Sequence, residues 1–229
     1  MNDIIHIMVC IIIGYLIGGI NPSYIFAKVK GFDIRSKGSG NAGASNAIIT
    51  IGKKAGVFCA VFDIFKGYMS VKLGLYIYPW IKVAGMVTGV FCIIGHILPV
   101  YMNFRGGKGL ASLAGVVLAY DPMVFLGLIV MEFFFVLLFD YICIVPISGS
   151  FLFMIILGVQ GGLLYGLLFL PVVMIIINRH LENIRRIRYG VEARVSYLWN
   201  KDAEEMRLQN NWDLLTDEQR DLFESKAYI

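Results

Sequence analysis

From Met123 to Ile177 the chain runs for 55 residues with only two charges, Glu132 and Asp140. A helix needs roughly 20 apolar residues to cross a bilayer core. This run therefore holds three spans, divided by breaks near Asp140 to Pro146 and near Gln160-Gly161-Gly162. Composition points the same way: 58% of residues are hydrophobic and 16% charged, against about 25% charged in soluble domains. Disordered, collagen-like and small disulfide-stapled classes are excluded. An ordinary cytosolic enzyme is disfavoured, because one core of this size cannot bury so much apolar surface. The expected fold is all-α, a polytopic membrane helix bundle.

The remaining spans are expected at Ile4 to Ala27, Ala55 to Tyr78 and Val83 to Phe104, with a short fourth at Leu110 to Tyr120 ended by Asp121-Pro122. The first lacks the basic start and small-residue cleavage site of a signal peptide, so it reads as a retained span. The total is about seven. Basic residues set the orientation. Lys28 to Lys54 holds six basic residues against the single acid Asp33; Arg105 and Lys108 lie in the third-to-fourth turn; Arg179, Arg185, Arg186, Arg188 and Arg194 follow the last span. The intervening turns are nearly free of basic charge. The N-terminus is expected outside and the C-terminus in the cytoplasm, with all three basic segments on the cytoplasmic face of the cell membrane. Residues 1–195 form the membrane domain. Residues 196–229 form a polar helical tail, in which Thr216 to Gln219 has the pattern of a capping box. The basic residues cluster at span ends, so nucleic acid is not a partner. The four cysteines sit in apolar runs without metal-ligand spacing, so they are expected as small core residues and not as a metal or redox site.

Three polar segments interrupt this apolar chain. Gly38 to Asn46 reads GSGNAGASN. Its glycines permit tight turns, and Ser39, Asn41, Gly43, Ser45 and Asn46 supply donors, the pattern of a phosphate or carboxylate cradle. The alternative is a flexible membrane-edge loop. Gly95 to Ser112 reads GHILPVYMNFRGGKGLAS. Here Gly106, Gly107 and Gly109 present Lys108 as a point charge suited to phosphate oxygens, or else as a positive-inside anchor. Arg179 to Glu192 reads RHLENIRRIRYGVE, placing Arg179, Asn183 and Arg186 on one helical face near His180. Within the spans, Asp63 and Lys66 are spaced to pair, and His96 and Glu132 each require a partner.

In this order and spacing, the three segments resemble the motifs of the bacterial integral-membrane glycerol-3-phosphate acyltransferases that use acyl phosphate: GSGNPGATN, GHxxPVxxxFxGGKGxAT and RHxxNIxRxxxGxE. The resemblance covers residues 1 to about 194 of this sequence. It implies acyl transfer from acyl phosphate to the sn-1 hydroxyl of glycerol 3-phosphate, giving lysophosphatidate for phospholipid synthesis, with no cofactor and no metal. It implies Ser39, Lys108, His180 and Asn183 as catalytic residues. Asn41, Gly43, Ser45, Asn46, Gly106, Gly107 and Gly109 would bind the substrates, acyl phosphate and glycerol 3-phosphate. The HxxxxD motif of other glycerol-phosphate acyltransferases is missing, since Ile11, Tyr101 and Arg185 stand five residues after the three histidines.

The chain departs from that pattern at three places. Ala42 replaces a proline and Ser45 a threonine. Ile49 stands where the family usually has an arginine, ten residues after Ser39. Either Arg35, Lys53 or Lys54 compensates for that arginine, or the chain is a divergent paralogue with another acceptor or lost activity. The rival class is a transporter of a phosphorylated solute, which the intramembrane charges would suit. Such proteins often carry repeated halves with broken helices, and no such repeat is visible.

Overall fold

A computed structural model describes residues 2–224. Its elements are all helical among those residues: α1 (Asn2–Gly19), α2 (Pro22–Val29), α3 (Ala44–Thr50), α4 (Lys53–Ile77), α5 (Ala84–Ile97), α6 (Leu110–Tyr120), α7 (Pro122–Phe139), α8 (Ile144–Gly161), α9 (Leu163–Arg188), α10 (Lys201–Asp213) and α11 (Asp217–Glu224). Residues 225–229 of the expected tail lie outside the described residues.

The predicted breaks fall where the chain turns. Asp121 caps α7, accepting from the N–H groups of Met123 and Val124, and Pro122 occupies a position where its missing N–H costs nothing. Asp140, at φ 61°, ends α7. The first expected span is not one rod. Asn21-Pro22 breaks it, and α1 and α2 meet at 42°. Pro22 cannot donate to the α1 ladder, and Asn21 Oδ1 instead accepts from Tyr24 N–H at 2.9 Å to open α2. Among the described residues, four segments are long and apolar enough to cross a membrane: Ala84–Met102, Pro122–Phe139, Ile144–Gly161 and Leu163–Arg188; the bent α1–α2 pair, counted as one span, adds a fifth. The 25-residue α4 carries Asp63, Lys66 and Lys72 in its middle. The protein is a multi-pass membrane protein.

Small residues bring the helices close. α1 crosses α5 with Gly14 and Gly18 against the carbonyls of Thr88 and Cys92, where a Cβ would overlap backbone. Gly67 of α4 and Gly115 of α6 do the same against the Ser112 and Ile64 carbonyls. The main core joins α5, α6, α8 and α9 through Ile93, Ile97, Val116, Leu157 and Val172, with Phe153 and Phe169 edge to face at 5.1 Å. On α7 only Leu128 and Glu132 are buried. Its exposed apolar face is what lipid covers. Glu132 finds its partner on α8, where Ser148 Oγ lies 2.8 and 2.7 Å from the two carboxylate oxygens.

Candidate active site

The first polar segment is a loop built around one side chain. Asn46 is fully buried. Its Oδ1 accepts from Ser39 N–H at 3.0 Å, and its Nδ2 lies 2.9, 2.9 and 3.0 Å from the carbonyls of Ile34, Lys37 and Asn41. The side chain expected to face a substrate therefore holds the loop's own backbone. Gly38 must be glycine, since a Cβ there would overlap Asn46 Oδ1 and its φ is +58°. The α3 helix opens at Ala44, which puts Ser45 and Asn46 in its first turn. Ser39 and Ser45 remain exposed and Asn41 is half-buried, while Gly43 is the buried N-cap. Asn21, not singled out from the sequence, ties this loop to the α1–α2 bend by donating to the Ala42 carbonyl at 2.9 Å. An Asn-Pro pair inside an apolar run was the available signal.

Arg35 is not free to replace the missing arginine. Its guanidinium pairs with Asp33 at 2.7 Å and donates to the Met102 carbonyl at 2.6 Å. That hydrogen bond and charge hold the Asp33 carboxyl below its ordinary range. Ile49 is exposed. Met102 packs with Ile34, Ala42 and Ala47, so the first and second polar segments share a small core.

The second segment folds onto the end of α5. Gly106 N–H donates to the Ile97 carbonyl at 3.0 Å, and Gly107 N–H to the His96 carbonyl at 3.1 Å. These two N–H groups, expected to hold a phosphoryl group, instead fasten the loop. A Cβ on Gly107 would overlap His96 Nε2, and one on Gly106 the His96 carbonyl. Beneath them His96, Lys66 and Asp63 form a buried cluster. Lys66 Nζ is 2.6 Å from Asp63 Oδ1, 2.9 Å from His96 Nδ1 and 2.7 Å from the Ile20 carbonyl. The Asp63 contact lies off the hydrogen-bonding direction and acts as an ion pair. Asp63 Oδ1 lies 3.4 Å from the same His96 Nδ1, so all three side chains meet at one point, and His96 Nε2 faces Gly107. The expected Asp63–Lys66 pair is present, and His96 completes it.

The third segment closes on the second. Lys108 Nζ donates to Asn183 Oδ1 at 2.6 Å, and Asn183 Nδ2 donates to Glu192 Oε1 at 2.6 Å. Glu192 lies in the quoted motif but had no role assigned from sequence. Burial pushes the Lys108 ammonium below its ordinary range, with the Glu192 charge opposing. Burial pushes the Glu192 carboxyl up, opposed by the Asn183 bond and the charges of Arg186 and Lys108. Arg179 Nη2 donates to the carbonyls of Ile97, at 3.0 Å, and Phe104. It braces the glycine turn that carries Lys108. His180 is buried, with Nδ1 2.8 Å from the Ile176 carbonyl. A carbonyl only accepts, so Nδ1 carries the proton, and a neutral ring keeps its lone pair on Nε2. Among the described residues no group of three His, Cys, Asp or Glu side chains is arranged to hold a metal.

The arrangement offers hydroxyls on one loop, an ammonium on a second, and an imidazole and an amide on a helix end. Such a set suits anionic substrates whose reaction requires orientation and charge neutralisation. The family model described as glycerol-3-phosphate acyltransferase matches residues 8–190. A glycerol-3-phosphate acyltransferase of Staphylococcus haemolyticus is 36% identical over 205 residues, covering 84% of this chain and 99% of the relative. That of Macrococcus caseolyticus is 36% identical over 201 residues, with 84% and 98% covered. Among solved structures, the glycerol 3-phosphate form of PlsY, an integral membrane glycerol 3-phosphate acyltransferase, superposes with a TM-score of 0.73 at 33% identity, covering 84% of this chain and 96% of that one. Its lysophosphatidic acid form gives 0.71 at 32% identity, covering 82% and 94%.

Proposed function

The chain belongs to the glycerol-3-phosphate acyltransferase family, and from that premise we propose that it transfers a fatty acyl group from acyl phosphate to the sn-1 hydroxyl of glycerol 3-phosphate. The hydroxyl oxygen bonds to the acyl carbon, the bond from that carbon to the phosphate oxygen breaks, and inorganic phosphate leaves with the electron pair. Lysophosphatidate is the other product. The observation that carries this reading is the Lys108–Asn183 bond, which joins the second and third motifs at one point.

Acyl phosphate is a mixed anhydride with a good leaving group, so the protein's task is positioning. Ser39, Asn41, Gly43 and Ser45 contact the phosphate or glycerol oxygens, on a loop that Asn46 shapes. Lys108 neutralises a phosphoryl group, on a turn that Gly106, Gly107 and Gly109 allow. His180 and Asn183 orient the acceptor. The hydroxyl proton goes to His180 Nε2 or to the substrate's own phosphate; near-normal turnover in His180→Ala would exclude the imidazole. The acyl chain lies in the apolar groove that starts at Leu110, directly after Gly109, and continues past Leu113, Val117, Phe125 and Leu128.

The membrane unit spans residues 1–195 and crosses about seven times. This count takes α1–α2 as one crossing and includes α4 and α6. The 11-residue α6 rises only about 16 Å, half the bilayer core, and is sheltered by its neighbours. The N-terminus is outside, and the site and the tail, residues 196–229, are on the cytoplasmic face of the cell membrane, as the basic segments favour. Purified protein given acyl phosphate, acyl-CoA or acyl carrier protein thioester with labelled glycerol 3-phosphate tests the donor. Product is expected from acyl phosphate alone. Exposed Ile49, in place of an arginine, favours a second reading with a different acceptor; replacing it by arginine would then raise the rate with glycerol 3-phosphate.

A further inference from the structure

The family match ends at residue 190, so α10 and α11 lie beyond it, yet α10 reaches the site. Arg207 on α10 donates from Nη1 to the Gly190 carbonyl at 2.5 Å and from Nη2 to the Glu192 carbonyl at 2.8 Å, while its guanidinium pairs with Glu204 at 2.5 Å. Asn211, one turn on, donates to the same Gly190 carbonyl at 2.8 Å. Glu204 Oε1 accepts from Arg194 N–H at 2.9 Å. One helix thus grips the chain on both sides of Glu192. Glu192 then takes the bond from Asn183, and Asn183 the bond from Lys108, each at 2.6 Å.

We propose that α10 is a positioning element for the acceptor side of the reaction, with Arg207 acting on Asn183 and Lys108 through Glu192. The inference rests on the reading of Lys108 and Asn183 given under Proposed function. Its physical basis is the locking of functional rotamers by a second layer of hydrogen bonds. A carboxylate anchors Asn183 only while its own backbone is fixed. The segment after α9 is a turn with Gly190 at φ +71°, and it has no regular ladder to fix it. Arginine suits the task because its planar fork reaches the Gly190 and Glu192 carbonyls from two separate nitrogens at fixed angles, where lysine offers one point charge on a flexible stem. Asn183, which orients the acceptor, receives the Glu192 bond directly and Lys108 stands one bond further on, so the KM of the acceptor is the one expected to move most.

The test is steady-state kinetics on full-length wild type, R207A, R207K and N211A. R207A is expected to raise KM for glycerol 3-phosphate about tenfold, with KM for acyl phosphate within about twofold. R207K should fall between wild type and R207A, and N211A should shift the same KM by about threefold. A KM for glycerol 3-phosphate unchanged in R207A, or equal rises in both KM values, would overturn the inference. If R207A does not fold, R207K and N211A decide by the same criterion. Wild type inactive with acyl phosphate would instead overturn the underlying reading, before any variant is measured.

Discussion

Lys108 and Asn183, 75 residues apart in sequence, meet side chain to side chain at 2.6 Å. Asn183 is also the only link in that relay between Lys108 and Glu192, since its amide donates to the carboxylate at 2.6 Å. Replacing Asn183 by alanine removes both contacts at once. The expected result is a loss of about a hundredfold in kcat/KM for glycerol 3-phosphate, the scale of a lost charge-assisted pair, with the thermal midpoint within a few degrees of wild type. Initial rates and thermal unfolding of the detergent-purified variant check both parts.

Asn46 predicts the opposite pattern. Asn46→Ala leaves the Ser39 N–H and three carbonyls without their partner, at a cost of about 3 kcal/mol or more. Both stability and activity should fall. Ser39→Ala, which leaves the Ser39 N–H bond to Asn46 in place, should lower the rate while the unfolding midpoint stays put. Thermal unfolding set beside activity for the two variants separates a loop organiser from a ligand.

The rate–pH profile should be a bell narrower than ordinary lysine and glutamate values allow. Activity is expected to be highest with Lys108 charged and Glu192 ionised, and lower but measurable without the Glu192 charge. Burial lowers Lys108, against the charges of Glu192, Cys143 and Glu182 and together with that of Arg186. Burial raises Glu192, against Asn183, Arg186 and Lys108 and with Glu182. The alkaline limb therefore lies below the ordinary lysine range and the acid limb above the ordinary carboxylate range. In Glu192→Gln the charge that sustains Lys108 is gone. The alkaline limb should move to lower pH and the limb due to Glu192 should vanish. Rates across the pH range for both proteins give the answer.

Much of the fold was legible because apolar runs and their breakers act locally. The capping box at Thr216 is present, with Thr216 N–H donating to Gln219 Oε1 at 2.9 Å and Gln219 N–H to Thr216 Oγ1 at 3.2 Å. Hydropathy ran straight through Asn21-Pro22, because a sliding sum of apolar side chains does not register a missing N–H. At the site, residue types were legible but their direction was not. Asn46, Gly106 and Gly107 look like ligand donors in sequence, whether they point outward or, as here, into their own backbone. The grip of Arg207 on Gly190 and Glu192 left no trace, because a carbonyl acceptor carries no side-chain signal.

The buried cluster under the second loop gives a stability prediction. Lys66→Met strands Asp63 beside His96, and breaking such a pair costs about 3–5 kcal/mol. The double variant Asp63→Asn, Lys66→Met should recover part of that loss. Thermal unfolding of the two variants and of wild type measures the coupling; equal midpoints for single and double variants would deny it.

The central claim is that Lys108, beside Asn183, serves a reaction that breaks acyl phosphate. The direct measurement is inorganic phosphate released by the purified protein from acyl phosphate, with and without glycerol 3-phosphate. Release should depend on glycerol 3-phosphate, match lysophosphatidate one for one, and drop by about a hundredfold or more in Lys108→Ala. Wild-type protein that releases no phosphate in the presence of both substrates, or Lys108→Ala protein that releases it at the wild-type rate, would contradict the account.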